Sequence, residues 1–302
     1  METQLWCPFI FMSYSGYKGI VGILISDNHT KSDVLKCMDS CQGYPIWVHA
    51  NTNDNNWADR MEIACKEKGC HYFSRSLSNG TPGRGKNLLM HHFTVDSNLK
   101  YFDYCFNIDG DDEWGETFPK LFKRNYEGEF LFLSGGKMQW NDTDKIYDKY
   151  KPNQLGEIIK EDVGAQDSYP IILQEFEKMR NILESFYQSP NGQEGVLNRL
   201  IGFSKAGIHN LKFKEDIKMG EDMVFHIDSL MMNKQGKLKT QYLYDNDLYL
   251  YKPNDRGIFY YQMSLWLGRK IKPLESWLSK YMNYLPKTFP KSLKKYKVDW
   301  IE

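Results

Sequence analysis

The sequence places Asp109, Asp111, Asp112 and Glu113 within five residues, directly after the apolar run YCFNI. Carboxylates held this close repel one another and call for a counter-charge. A divalent cation with oxygen ligands meets that need, because Mg2+ or Mn2+ commonly takes one or two protein carboxylates and fills its other positions with water and phosphate. An EF-hand loop does not fit: counted from Asp109, the sixth position, which that loop reserves for glycine, is Trp114. An acidic surface turn is the plainer alternative, since Asp and Gly favour turns with no ligand at all.

A second acidic pair, Glu221-Asp222, follows Gly220 and opens the helical pattern EDMVFHIDSL, with His226 one turn further on. Acids at a helix start are favoured by the helix dipole, and either carboxylate could also take a proton from a reacting hydroxyl. His226 could face a metal or a phosphate, or pack as an ordinary helical histidine. A third constellation, GTPGRGKN from Gly80 to Asn87, nearly matches the phosphate-cradling pattern G-x-x-x-x-G-K-[ST], with YCFNID imitating the strand and Asp that hold Mg2+ in such enzymes. Against it, Asn87 lacks the hydroxyl that would bind the metal, and the loop follows the third predicted strand rather than the first. A nucleotide-hydrolysing enzyme or kinase is therefore the rival reading. Otherwise Arg84 and Lys86 offer positive charge to a phosphate.

These residues need elements to hold them. IVGILIS (20–26) reads as a strand, followed by a polar turn beginning at Asp27 and the helical pattern SDVLKCMDSC. PIWVHA (45–50) repeats the pattern into the loop NTNDNN and a helix, WADRMEIACKEKG, ending on Gly69. CHYFSR (70–75), YFDYCFNID (101–109) and EFLFLSG (129–135) read as further strands, with a helix NLLMHHFTVDSN between the first two of these. Strands alternating with helices predict an α/β fold with a doubly wound, mostly parallel sheet and ligand groups on the loops at the strands' carboxyl ends. Residues 141–200 are polar and read as a helical lid or acceptor subdomain.

In this setting FNIDGDDEW resembles the DxD motif of GT-A-fold glycosyltransferases, in particular the inverting family 2, in which a strand ends in a pattern of the type LDxDD. ILISDNHT, NTND, Asn87, GEDMVFHIDSL and LYLYKPNDRG (248–257) are similar to other marks of that family and fall in its order, over roughly residues 18–258. The resemblance implies a Rossmann-like GT-A domain over 1–258; the remaining 259–302 reads as a helical, basic and aromatic C-terminal extension. The resemblance also implies a nucleotide-sugar donor, typically a uridine diphosphate sugar, and Mn2+ or Mg2+. By the same resemblance Asp111 is the metal ligand, Asp109 contacts the ribose or shares the metal, and Asp112 supports them. Asp222 is the catalytic base, with Glu221 to orient it or bind the acceptor. Asp27, Arg84, Lys86 and Asn87 fall near the nucleotide. Trp114, Trp140 and GQEGVLNRLIGFSK (192–205) are candidates for sugar and acceptor pockets. A catalytically dead binding module that keeps the fold is the third reading, since fold does not dictate function.

Composition limits the remaining possibilities. A chain of 302 residues, 41% hydrophobic and 26% charged, has the make-up of a globular protein rather than a disordered one. No run approaches the roughly 20 apolar residues of a membrane span, and METQLWCPFIFMSYSG lacks the basic start and cleavage site of a secretory signal. The expected location is the cytoplasm, or a host's cytoplasm if the protein is viral. Six cysteines without a CxxC pair fit reduced thiols. The formal charge of zero hides a basic stretch at 269–297, with eight Lys and one Arg against Glu275. That stretch, rich in aromatics, suits a polyanion or an anionic membrane surface. It leaves two acceptor classes: a glycan or lipid-linked glycan, or a hydroxymethylated base in DNA, as some phage glycosyltransferases use.

Overall fold

The computed structural model describes residues 18–41, 43–134, 137–138, 199–208, 211–216, 221–252 and 298–300. The first 17 residues, Trp140, nearly all of the expected lid and the whole basic stretch at 269–297 lie outside these residues. The described chain alternates as expected: β1 (Gly19–Ile25), α1 (Lys31–Ser40), β2 (Ile46–Asn51), α2 (Asn55–Glu67), β3 (Tyr72–Ser76), α3 (Pro82–Val95) and β4 (Tyr104–Asp109). After β4 come β5 (Glu113–Trp114), β6 (Phe130–Ser134), β7 (Lys137–Met138), β8 (Arg199–Ser204), α4 (Glu221–Lys234), β9 (Thr240–Tyr244), β10 (Tyr249–Tyr251) and β11 (Val298–Trp300).

Eight strands form the main sheet in the order β11-β9-β6-β8-β4-β1-β2-β3. Every neighbouring pair is parallel except those made by β8, which runs antiparallel to both β4 and β6. The expected mostly parallel α/β sheet is therefore the observed one. A second sheet, β5-β10-β7, sits beside the acidic run, because β5 is made of Glu113 and Trp114.

The central strands are buried on both faces, as the apolar runs require. Along β1, Val21, Ile23 and Ile25 pack with Val34 and Met38 of α1 and Met61 of α2. The alternate residues Ile20 and Leu24 pack with Leu89, Met90 and Phe93 of α3 and Phe225 of α4. The period of two along the strand thus builds three layers, with α1 and α2 on one face and α3 and α4 on the other.

Two segments differ from the sequence reading. RLIGFS, the end of the segment 192–205 expected to line sugar and acceptor pockets and overlapping the expected lid only at 199–200, is the strand β8 at the centre of the main sheet. Trp114, expected near a sugar pocket, is a core residue stacked on Phe118 and edge-on to Tyr249. The expected C-terminal appendage begins at 259, yet its Val298–Trp300 pairs in parallel with β9. Among the described residues no helix is long and apolar enough to cross a membrane. Cys37, Cys41, Cys65, Cys70 and Cys105 are unbridged, as expected.

Candidate active site

The carboxyl ends of β1 and β4 lie side by side, with Leu24 paired to Asp109. Because β8 runs the other way, its first residue, Arg199, comes to the same edge as the last residue of β4. The first turn of α4 completes a cleft lined by Lys86, Asn107, Ile108, Asp109, Arg199, Leu200, Phe213, Asp222 and Tyr249. Four residues singled out by type and spacing are thus close neighbours in space: Asp109, Asp222 and Lys86 line the cleft, and Glu221 pairs with Lys86.

The acidic run turns sharply at Gly110. The Gly110 amide donates to the Leu24 carbonyl at 2.9 Å, and a Cβ there would meet Ile25 Cγ2 at 2.5 Å. The turn sends the carboxylates in different directions. Asp112 goes inward and is 1% exposed. Its Oδ2 accepts from Arg199 Nη1 at 2.8 Å and from the Tyr249 hydroxyl at 2.6 Å, and its Oδ1 accepts from the Lys252 amide at 2.8 Å. Burial pushes its carboxyl up to about 7; Arg199 opposes the rise, while Asp111 and Asp109 add to it. Tyr249, raised well above its usual range by burial, stays protonated and can donate. Glu113 pairs with Lys252.

Asp109 is 34% exposed and has Arg199 Nη1 at 3.5 Å. Burial works to raise its carboxyl, but Lys86, Arg199 and His29 together hold it below its usual range. Asp111 faces His29, whose Nε2 lies 3.4 Å from Oδ1. The Ser26 amide lies 2.9 Å and the Ser26 carbonyl 3.1 Å from His29 Nδ1, so the backbone of the turn anchors the ring while Nε2 faces Asp111. Burial alone would lower the imidazole, yet Asp111, then Asp109 and Ser26, raise it above its ordinary value.

Across the cleft, Lys86 Nζ lies 2.7 Å from Glu221 Oε1 and 2.5 Å from Asp222 Oδ1. The two acids differ in setting: Glu221 is 6% exposed and Asp222 is 39% exposed. Burial raises the Glu221 carboxyl, with Lys86 opposing and Asp222 adding. For Lys86, burial pulls down but Asp222, Glu221 and Asp109 win, so the ammonium stays charged.

The segment GTPGRGKN is not a phosphate-cradling loop. The helix α3 starts at Pro82, which favours the first helical position, so most of the segment is itself helical. Its glycines serve packing: a Cβ on Gly83 would lie 2.3 Å from the Lys214 carbonyl oxygen, and one on Gly85 would lie 3.3 Å from Asn51 Oδ1. Asn87, expected near a nucleotide, clamps the stretch 211–216: it donates to the Phe213 carbonyl and Glu215 Oε1, each at 2.9 Å, and accepts from the Phe213 amide at 2.8 Å. Arg84 reaches Glu215 at 3.3 Å. Asp27 is exposed in the turn after β1, and it is His29 from that turn that reaches the acidic run.

His226, considered as a metal ligand, lies on the core side of α4 and does not line the cleft. It is buried against Phe132, and its Nε2 is 2.9 Å from the Tyr242 hydroxyl. Sequence reasoning missed His29, Arg199, Tyr249 and Lys252. Each lay inside a segment already singled out, His29 in ILISDNHT, Arg199 in GQEGVLNRLIGFSK, and Tyr249 and Lys252 in LYLYKPNDRG, but none had a role of its own. Among the described residues, no group of three or more His, Cys, Asp or Glu side chains is arranged to hold a metal alone. Asp109, which lines the cleft, and Asp111, two residues on and facing His29, offer hard oxygen donors, which fits an ion that takes one or two carboxylates and completes its shell with phosphate and water.

Fold and site together define an α/β protein with a carboxylate-rich cleft at the carboxyl edge of its sheet. Among solved structures it is similar to TarS of S. aureus, at 13% identity over 91% of this chain and 44% of that one, with a TM-score of 0.46. A structure of TarS residues 1–349 aligns at 12% identity over 83% of this chain and 64% of that one, with a TM-score of 0.45. Glucosyl-3-phosphoglycerate synthase from Mycobacterium tuberculosis, in complex with Mn2+, uridine diphosphate and glucosyl-3-phosphoglycerate, aligns at 11% identity, covering 90% of this chain and 88% of that one, with a TM-score of 0.40. Likeness of this degree assigns no activity. No protein-family model and no curated protein sequence matches the chain.

Proposed function

We propose that this chain is a metal-dependent glycosyltransferase that moves a sugar from a uridine diphosphate donor to an acceptor hydroxyl with inversion. The observation that carries the reading is the meeting, in one cleft, of Asp109 from the end of β4 and Asp222 from the first turn of α4. Mn2+ or Mg2+, held by Asp111 and Asp109, would neutralise the charge that develops on a departing diphosphate. Asp222, the more open of the two helix acids, takes the proton of the attacking hydroxyl. Lys86 holds its carboxylate in place, and Glu221 shares that lysine rather than the acceptor. The acceptor class is a glycan, a lipid-linked glycan or a hydroxymethylated DNA base. DNA affinity that falls steeply with salt would select the last.

The test is thermal stability with nucleotides and nucleotide sugars, with and without Mn2+. A ligand at about 100 times its dissociation constant adds roughly 2.7 kcal/mol to stability. Stabilisation by uridine diphosphate that needs Mn2+, and that Asp111→Asn abolishes, is the expected result. Asp222→Asn should keep that binding and lose transfer by about 10²-fold or more. Stabilisation by ATP or GTP alone sinks the reading, and full transfer by Asp222→Asn removes the assigned base.

A further inference from the structure

We propose that Arg199 is a positioning residue that divides the acidic run: with Tyr249 it locks Asp112 into the fold and so leaves Asp109 and Asp111 to face the cation. This rests on the reading above and concerns the same site. Four carboxylates stand within residues 109–113, and their surroundings are unequal. Both oxygens of Asp112 are taken, Oδ2 by Arg199 and the Tyr249 hydroxyl and Oδ1 by the Lys252 amide, at 2.6–2.8 Å. The same Arg199 nitrogen lies 3.5 Å from Asp109 Oδ2, a looser contact to a more exposed carboxylate.

The guanidinium has little room to slide. Its carbon sits 4.4 Å from the centre of the Tyr249 ring and 5.0 Å from that of Tyr251, so two aromatic faces of β10 hold its plane. One cation thereby ties the end of β4 to the start of β8 and to the small sheet. A lysine would keep the charge but would lose the planar face and the fork. Freed from Arg199, a buried Asp112 has lost its charge partner, and the turn at 110–113 that sets Asp109 against Asp111 loses its anchor.

The experiment is a Mn2+ titration followed by electron paramagnetic resonance, with saturating uridine diphosphate, on the full chain and on Arg199→Met, Arg199→Lys and Tyr249→Phe. Kcat and KM for the donor are measured alongside. Loss of a nearby positive charge by itself tightens cation binding, so the sign is diagnostic. Positioning predicts Mn2+ binding weakened at least tenfold in Arg199→Met and in Arg199→Lys, with a fall in kcat larger than the change in KM. Tyr249→Phe, which keeps the ring, should weaken binding by less. Unchanged or tighter Mn2+ binding in folded Arg199→Met overturns the proposal. Should that variant fail to fold, unchanged binding in Arg199→Lys and Tyr249→Phe overturns it equally. A wild-type chain that binds no Mn2+ with uridine diphosphate overturns the proposed function and this inference together, whereas wild-type binding with unaltered variants overturns the inference alone.

Discussion

Two buried polar networks lie on the same sheet, and they are built on opposite principles. Between β2 and β3 the network is neutral: Trp47 Nε1 donates to Ser74 Oγ at 2.8 Å, His49 meets Ser74 Oγ at 2.7 Å and Ser76 Oγ at 2.8 Å, and Asn51 donates to Ser76 Oγ at 2.8 Å. Its members are register partners on adjacent strands, His49 with Ser74 and Asn51 with Ser76. At the cleft the network is ionic and joins segments far apart in sequence: Lys86 with Glu221 and Asp222, and Arg199 with Asp109 and Asp112. A neutral ladder can be satisfied by local pairing and buried at small cost, whereas buried charges demand partners wherever the fold can bring them. On the proposed function, the neutral half is scaffold and the ionic half is machinery.

The sharpest way to break the comparison is Lys86→Met. It leaves Glu221 buried without its counter-charge and Asp222 without its neighbour, and removing one partner of a buried pair costs about 3 to 5 kcal/mol. Urea denaturation should show that loss, and Lys86→Met with Glu221→Gln should recover much of it. If the single variant is as stable as wild type, the cleft charges are solvated and the ionic half is no different from ordinary surface.

Next in size is Gly83→Ala, at the seam where α3 meets the stretch 211–216. The added Cβ would fall 2.3 Å from the Lys214 carbonyl oxygen, a backbone atom that cannot simply rotate aside. Crowding of this kind costs about 1 to 3 kcal/mol. A neutral result in urea would mean that this seam is loose and that α3 positions Lys86 without support from residue 214.

What could be read in advance follows the same division. The strands β1 to β4 and β6 were legible to within a few residues, because apolar runs ending in polar turns are local signals. Asp109 and Asp222 were singled out as residue types, and the fold brings them to one cleft. The start of α3 was not: Gly83 and Gly85 read as a loop, since glycine disfavours helix, and the close packing that makes them necessary is tertiary. β8 was hidden at the edge of a polar stretch whose character it does not share. Arg199, Tyr249 and His29 lay inside quoted segments but had no role there, because each is defined by a partner that only the folded chain brings near.

The neutral half makes its own prediction with acid. Burial, with His92 adding to it, pushes the His49 imidazole down to about 3. In the unfolded chain the ring takes a proton below about 6.5, while in the folded chain it does not until about 3, so stability is lost as pH falls through that window. At pH 5 the loss is about 2 kcal/mol, at roughly 1.4 kcal/mol for each pH unit below 6.5. Wild type should therefore lose about 2 kcal/mol more than His49→Gln between pH 7.5 and pH 5 in urea. Equal losses would show that the ladder opens to water and tolerates charge.

The smallest expected effect tests whether the His29 turn belongs to scaffold or machinery. Thr30 caps α1: its side chain accepts from the Asp33 amide at 3.2 Å, and Asp33 Oδ2 accepts from the Thr30 amide at 3.1 Å. Replacing such a cap by alanine costs about 1 kcal/mol. Thr30 immediately follows His29, whose ring is anchored independently by the Ser26 amide and by Asp111. Thr30→Ala should thus lower stability by about 1 kcal/mol while Mn2+ binding with uridine diphosphate stays within about twofold, a change of under 0.5 kcal/mol. A tenfold loss of Mn2+ binding at the same small cost in stability would move this turn into the machinery, with the cap of α1 setting where His29 meets Asp111.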